Sequence, residues 1–214
     1  MWSELAPIVV LSLYVSSIAL FFAVLLGVPL GAWLGLYATR GKRWWELIIY
    51  TGMGFPTVVV GLLVYLLLSR SGPLGVLGWL FTPRAIIGAQ VIIALPMVAS
   101  LTQAAFEALN PNLRMLLRSW AVTPQQEIWT LLSEARGGML VAIIAAFGRI
   151  FSEVGAVMLV GGNIQGQTRV LTTAIVLETR QGEFDLALAL GALLLIISAL
   201  INALVLRFGK QRLF

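Results

Sequence analysis

Two ionisable residues, Arg149 and Glu153, stand four positions apart inside the apolar run MLVAIIAAFGRIFSEVGAVMLV. Helical spacing puts both on one face, where they are expected to form an intrahelical ion pair turned toward other helices. A lone charge at the middle of a bilayer costs roughly 2.5–3.5 kcal/mol on insertion scales, so each needs a partner or water. The same face, with Ser152 and Gly155 beside it for close backbone approach, is a candidate border of a path for a charged solute. Downstream, GGNIQGQTRVLTTAI collects neutral donors, of which Asn163, Gln165, Thr168, Thr172 and Thr173 are candidates for the mouth of such a path or for contact with a partner. Loops of this composition also serve simply as turns. The chain has no cysteine and no histidine. Disulfides, thiolate chemistry and the usual zinc sites are therefore excluded, and neither a metal site nor a bound cofactor is expected.

The elements that must position these residues are membrane spans. Of 214 residues, 60% are hydrophobic and 11% charged, a composition for which the bilayer is the solvent. Apolar runs at about 8–38, 46–68, 85–106, 139–160 and 186–207 are each long enough to cross roughly 30 Å of hydrocarbon. Five spans put the termini on opposite sides. The first run far exceeds the hydrophobic stretch of a signal peptide and is expected to stay as an anchor. Arg40, Lys42, Arg43, Arg114, Arg118, Arg136, Arg207, Lys210 and Arg212 fall on one side of the spans, and Arg70, Arg84, Arg169 and Arg180 on the other. Bases in short loops are held in the cytoplasm, so the amino terminus is expected outside and the carboxyl terminus inside. The positive charge thus orients a membrane protein, and nucleic acid is not an expected partner.

On the cytoplasmic side lies the polar stretch 107–138. Asn110 before Pro111, and Thr123 before Pro124 with Gln126 in the capping-box position, predict two short helices. Both are amphipathic, and Gly137 with Gly138 is expected to end the second before the next span. The pair would either lie on the membrane surface or dock a cytoplasmic partner. Candidate docking residues are Arg114, Leu117, Arg118, Trp120, Ala121, Thr123, Pro124, Glu127 and Trp129. In the first span Gly27, Gly31 and Gly35 form a stripe that lets another helix come close. Gly52, Gly54 and Pro56 predict an irregular start to the second span, and LPMV at 95–98 a kink in the third.

At this point the chain resembles a family. The polar helix pair looks like the signature loop of ABC-importer permeases, with AVTP at the family's glycine-containing turn, so that Ala121 stands where glycine is usual. PTVVVGLLVYLLLSRSGPLG, AQVIIALPMV and GRIFSEVGAVMLVGGNIQGQTRVLTTAI are similar to the molybdate, tungstate and sulfate permeases over nearly the full length. GGNIQGQTRVLTTAI followed by LETRQGEFDLALALG is most similar to the tungstate type. The resemblance implies an all-α integral membrane fold of the type I importer class, with 1–214 as one transmembrane domain in a prokaryotic plasma membrane. It implies a permease homodimer, a cytoplasmic ATPase dimer that binds ATP and magnesium, and an extracytoplasmic binding protein that delivers the oxyanion. Arg149 would attract the anion and Glu153 would keep it from being held too tightly.

No G-x-x-x-x-G-K-[ST] phosphate loop is present, since GLYATRGKR has the wrong spacing and follows an apolar helix. A self-contained channel or secondary transporter would explain the spans but not the capped cytoplasmic helices, and would more often carry internal repeats. A membrane enzyme would need reactive groups that this composition scarcely offers.

Overall fold

The computed structural model describes residues 2–37 and 41–210, so Arg40 and Arg212 of the charge count lie outside the described residues. Its helices are α1 (Trp2–Leu36), α2 (Lys42–Met53), α3 (Thr57–Leu68), α4 (Pro83–Glu107), α5 (Pro111–Ser119), α6 (Pro124–Phe151), α7 (Gly155–Gly161), α8 (Leu171–Gln181) and α9 (Phe184–Lys210). There is no strand among the described residues.

The centre of the bundle is the pair α1 and α4, and small residues make it. Lipid tails are as apolar as leucine, so helices associate in a membrane by close packing rather than by escape from water. Val15, Ala19 and Ala23 of α1 pack with Ala85, Ile86 and Ala89 of α4. Toward the other end, a Cβ on Gly27 would come within 2.9 Å of Val98, one on Gly35 within 2.7 Å of Phe106, and one on Gly31 would overlap the Ala99 carbonyl. Ser16 meets Gln90 near the start of α4 and Gly35 meets Phe106 near its end, so the two helices run parallel.

Parallel packing requires the chain to cross back between them, and α2 with α3 does so. Lys42 at the start of α2 bonds Glu107 at the end of α4 at 2.9 Å, while Tyr65 of α3 stacks edge-on with Phe81 just before α4 begins. This return crossing is broken: α2 and α3 are bent by 101° at Gly54 to Pro56. The glycines and Pro56 therefore interrupt the second span rather than loosen its start. Pro96 behaves differently, because α4 continues through it from Pro83 to Glu107.

The helix α6 runs antiparallel to α4, with Gln90 Nε2 donating to the Ile150 carbonyl at 3.0 Å at one end. At the other, Gly138 lies so close to Ala105 that a Cβ would collide with its methyl. Gly137 and Gly138 do not end a helix. Gly138 permits the close approach to α4, and the helix passes through both glycines from Pro124 to Phe151. At 1.5 Å per residue its 28 residues extend about 42 Å, so its first turns project beyond the roughly 30 Å hydrocarbon layer. The fourth crossing is completed by α7, and α9 makes the fifth.

Candidate functional site

The break between α6 and α7 is built by Glu153. Ser152 ends α6 and its hydroxyl donates back to the Gly148 carbonyl at 2.8 Å. Glu153 Oε1 accepts from the Ala156 amide at 3.0 Å and so caps the first turn of α7. At membrane depth, freed backbone groups must find protein partners. The Glu153 carbonyl accepts from Thr172 Oγ1 at 2.8 Å and the Ile150 carbonyl from Gln90.

This geometry corrects the expected pair. Glu153 is 7% exposed whereas Arg149, on the last turn of α6, is exposed, and the two form no ion pair among the described residues. An i, i+4 pair needs an unbroken helix, and capping α7 consumes the carboxylate that the pair would have used. Arg149 and Ser152 present polar groups on an open face. Val58 of the other broken crossing lies 2.7 Å from where a Cβ on Gly155 would stand, so the two breaks are packed against each other.

The neutral donors downstream are mostly engaged. Thr168 Oγ1 donates to the Gly161 carbonyl at 2.6 Å and accepts from the Ile164 amide at 2.9 Å. Thr173 Oγ1 accepts from the Val170 amide at 3.0 Å. Thr172 and Thr173 lie in the first turn of α8 and are buried. Asn163 adopts a left-handed conformation with φ 52°, and its buried Oδ1 has no partner. Missing from the sequence reading are Ser12, Ser16 and Gln90, all nearly fully buried, which join Glu153 and Thr172 in one polar cluster. The signal was available: they are polar residues within apolar runs.

The two polar helices of 107–138 are capped where the sequence predicts. Asn110 Oδ1 accepts from the Asn112 amide, and Thr123 and Gln126 complete a reciprocal capping box ahead of Pro124. Between α5 and α6, Ala121 has φ 52°, the left-handed region in which glycine fits without strain. The candidate docking residues divide into two sets. Arg114 and Glu127 face inward: Nε donates to Oε1 at 2.6 Å, NH1 donates to the Leu36 carbonyl at 2.6 Å, and the guanidinium lies 4.7 Å from the Tyr37 ring centre. The Arg114 hydrogen bond holds the Glu127 carboxyl below the usual carboxylate range. Arg118 reaches the other oxygen at 3.6 Å, and Leu117 is buried against Phe106, Leu131 and Ala135. Met115, Trp120 and Trp129 face outward, each about two-thirds exposed, beside exposed Leu116 and Ile128.

A polar break with an exposed face, joined by one unbroken helix to an exposed apolar patch, sits in a multi-pass helical bundle of the type I importer permease fold. The chain belongs to the family of binding-protein-dependent transport system inner membrane components, whose model matches residues 27–211. It is 44% identical over 212 residues to a probable anion ABC transporter permease protein of Haloferax volcanii, covering 97% of this chain and 91% of that one. It is 38% identical over 202 residues to the tungstate uptake system permease protein TupB of Peptoclostridium acidaminophilum, covering 94% and 89%. Among solved structures, an inward-facing MetNI methionine ABC transporter matches with a TM-score of 0.82 at 20% identity, over 99% of this chain and 97% of that one.

Proposed function

We propose that this chain is the permease subunit of an ATP-driven importer for a tetrahedral oxyanion, tungstate before molybdate or sulfate. Two copies enclose one pathway, with amino termini outside and carboxyl termini in the cytoplasm. A cytoplasmic ATPase dimer supplies the power and holds ATP and magnesium, while this chain binds no cofactor. An extracytoplasmic binding protein delivers the anion. The resemblance of GGNIQGQTRVLTTAI to tungstate permeases supports the order of substrates.

The observation that carries this reading is the continuity of α6. One helix leads from the Thr123 cap to Arg149 and Ser152. Met115, Trp120 and Trp129 form the surface that seats in the ATPase, and Arg114 with Glu127 keeps that surface rigid against the end of α1. Closure of the ATPase displaces the near end of α6. The helix carries the displacement to the break, which opens to one side of the membrane and then the other. Arg149 draws the anion by its positive charge, and Ser152 keeps that face open with its own hydroxyl turned back to the helix. Asn163, Thr168, Thr172 and Thr173 hold the outer mouth in shape, with Asn163 Oδ1 the acceptor left over. The stripe of Gly27, Gly31 and Gly35 gives the α1–α4 pair the close contact against which α6 moves.

The test is ATP-dependent uptake into vesicles carrying the whole complex, with tungstate, molybdate and sulfate in competition. Tungstate should be taken up with the lowest half-saturating concentration. Uptake that persists without the ATPase subunit would reassign the chain to a self-contained transporter.

A further inference from the structure

A second cavity lies at the outer end of the bundle, apart from the break. It measures about 520 Å³ and is walled by α1, α8, α9 and the loop 165–169. Ile8, Leu11 and Leu190 contribute apolar lining, while Gln165, Gln167, Arg169 and Glu178 contribute the polar lining. Arg169 Nε is buried and has no hydrogen-bond partner, and Arg169 joins no ion pair among the described residues. A buried guanidinium donor without an acceptor is costly, and the group that best relieves it is an oxygen anion.

We propose that this cavity binds a membrane phospholipid, with its phosphodiester on Arg169 and the start of an acyl chain along Ile8, Leu11 and Leu190. Two observations choose lipid over a free anion. Glu178 in the same lining brings one negative charge, which repels a doubly charged oxyanion more than a singly charged phosphodiester. The apolar wall also continues past Val10 and Tyr14, both exposed, which lengthens it beyond what an inorganic anion could use. The loop that carries Arg169 also carries Thr168 and follows Asn163, so a bound lipid steadies the outer mouth.

The test uses native mass spectrometry of the detergent-purified permease complex titrated with phosphatidylglycerol. Wild type should retain lipid through repeated detergent washing. Arg169→Gln, which removes a charged hydrogen bond, should weaken retention by about tenfold. Ile8→Trp, which fills the apolar half, should weaken it comparably without touching the charge, so the inference does not hang on one variant's folding. Equal retention by wild type and both variants overturns the proposal. So does displacement of the lipid by millimolar inorganic phosphate, which would make the cavity a free-anion site. A disulfide formed between two copies of the chain through cysteine placed at Gln167 would likewise overturn it, because the cavity would then be a subunit contact.

Discussion

Arg114 Nε donates to Glu127 Oε1 at 2.6 Å across the turn between α5 and α6. The same guanidinium holds the Leu36 carbonyl, so one side chain joins α5 and α6 to the end of α1. Arg114→Ala should cost about 2 kcal/mol, within the range for hydrogen bonds to charged groups. Thermal unfolding of the solubilised chain would register it. Arg118→Ala, whose contact is longer and more exposed, should cost under about 1 kcal/mol.

The pH dependence follows from the lowered Glu127 carboxyl. A carboxylate whose folded value lies below its unfolded value, about 4.3 for glutamate, contributes stability above that range and loses it as pH falls through the folded value. Wild type should therefore exceed Glu127→Gln in thermal midpoint at neutral pH. The gap should close on acidification below about pH 4. A gap that stays constant down to the acid limit would mean that the ionised brace contributes nothing.

Ala121 pays for its left-handed backbone. Ala121→Gly should raise stability by about 1 kcal/mol, the strain that an L side chain suffers there less the added freedom of glycine in the unfolded chain. A thermal melt reads the sign directly.

At the break, Arg149 and Glu153 act separately. Arg149→Ala should reduce oxyanion uptake and leave assembly intact, while Glu153→Ala should destabilise the chain through loss of the α7 cap, by about 1 kcal/mol or more. In a double-mutant cycle on stability the two changes should add within about 0.5 kcal/mol. Coupling well beyond that would restore the ion pair.

Local signals were the legible ones. Asn110, Thr123 and Gln126 cap helices because capping depends on residues within one turn, and the five crossings followed from run lengths alone. What escaped depends on contacts distant in sequence. Gly137 and Gly138 read as a terminator, yet the helix runs through both and Ala105 of α4 leaves no room for a side chain at Gly138. Arg149 and Glu153 read as neighbours on one face until Gln90 and Thr172 are seen satisfying the backbone where the helix stops. Arg114 and Glu127 both read as docking charges, and the bond that ties Arg114 to the Leu36 carbonyl of α1 lies outside the helix pair, where sequence spacing gives no sign of it. The second span read as one helix with an irregular start because composition does not report direction, and the 101° bend is a matter of direction.

The account depends on α6 being a single rod between the cytoplasmic patch and the break. Spin labels at Gln125 and Val141, both exposed and flanking Gly137 and Gly138, measure this most directly in the assembled complex. Sixteen helical steps predict a backbone separation of about 24 Å with a narrow distribution, unchanged between nucleotide-free and ATP-bound states. With the labelled chain diluted into unlabelled copies so that only distances within one protomer are read, a broad or two-peaked distribution, or a separation that shifts with nucleotide, would show a hinge at the glycines and contradict the rod.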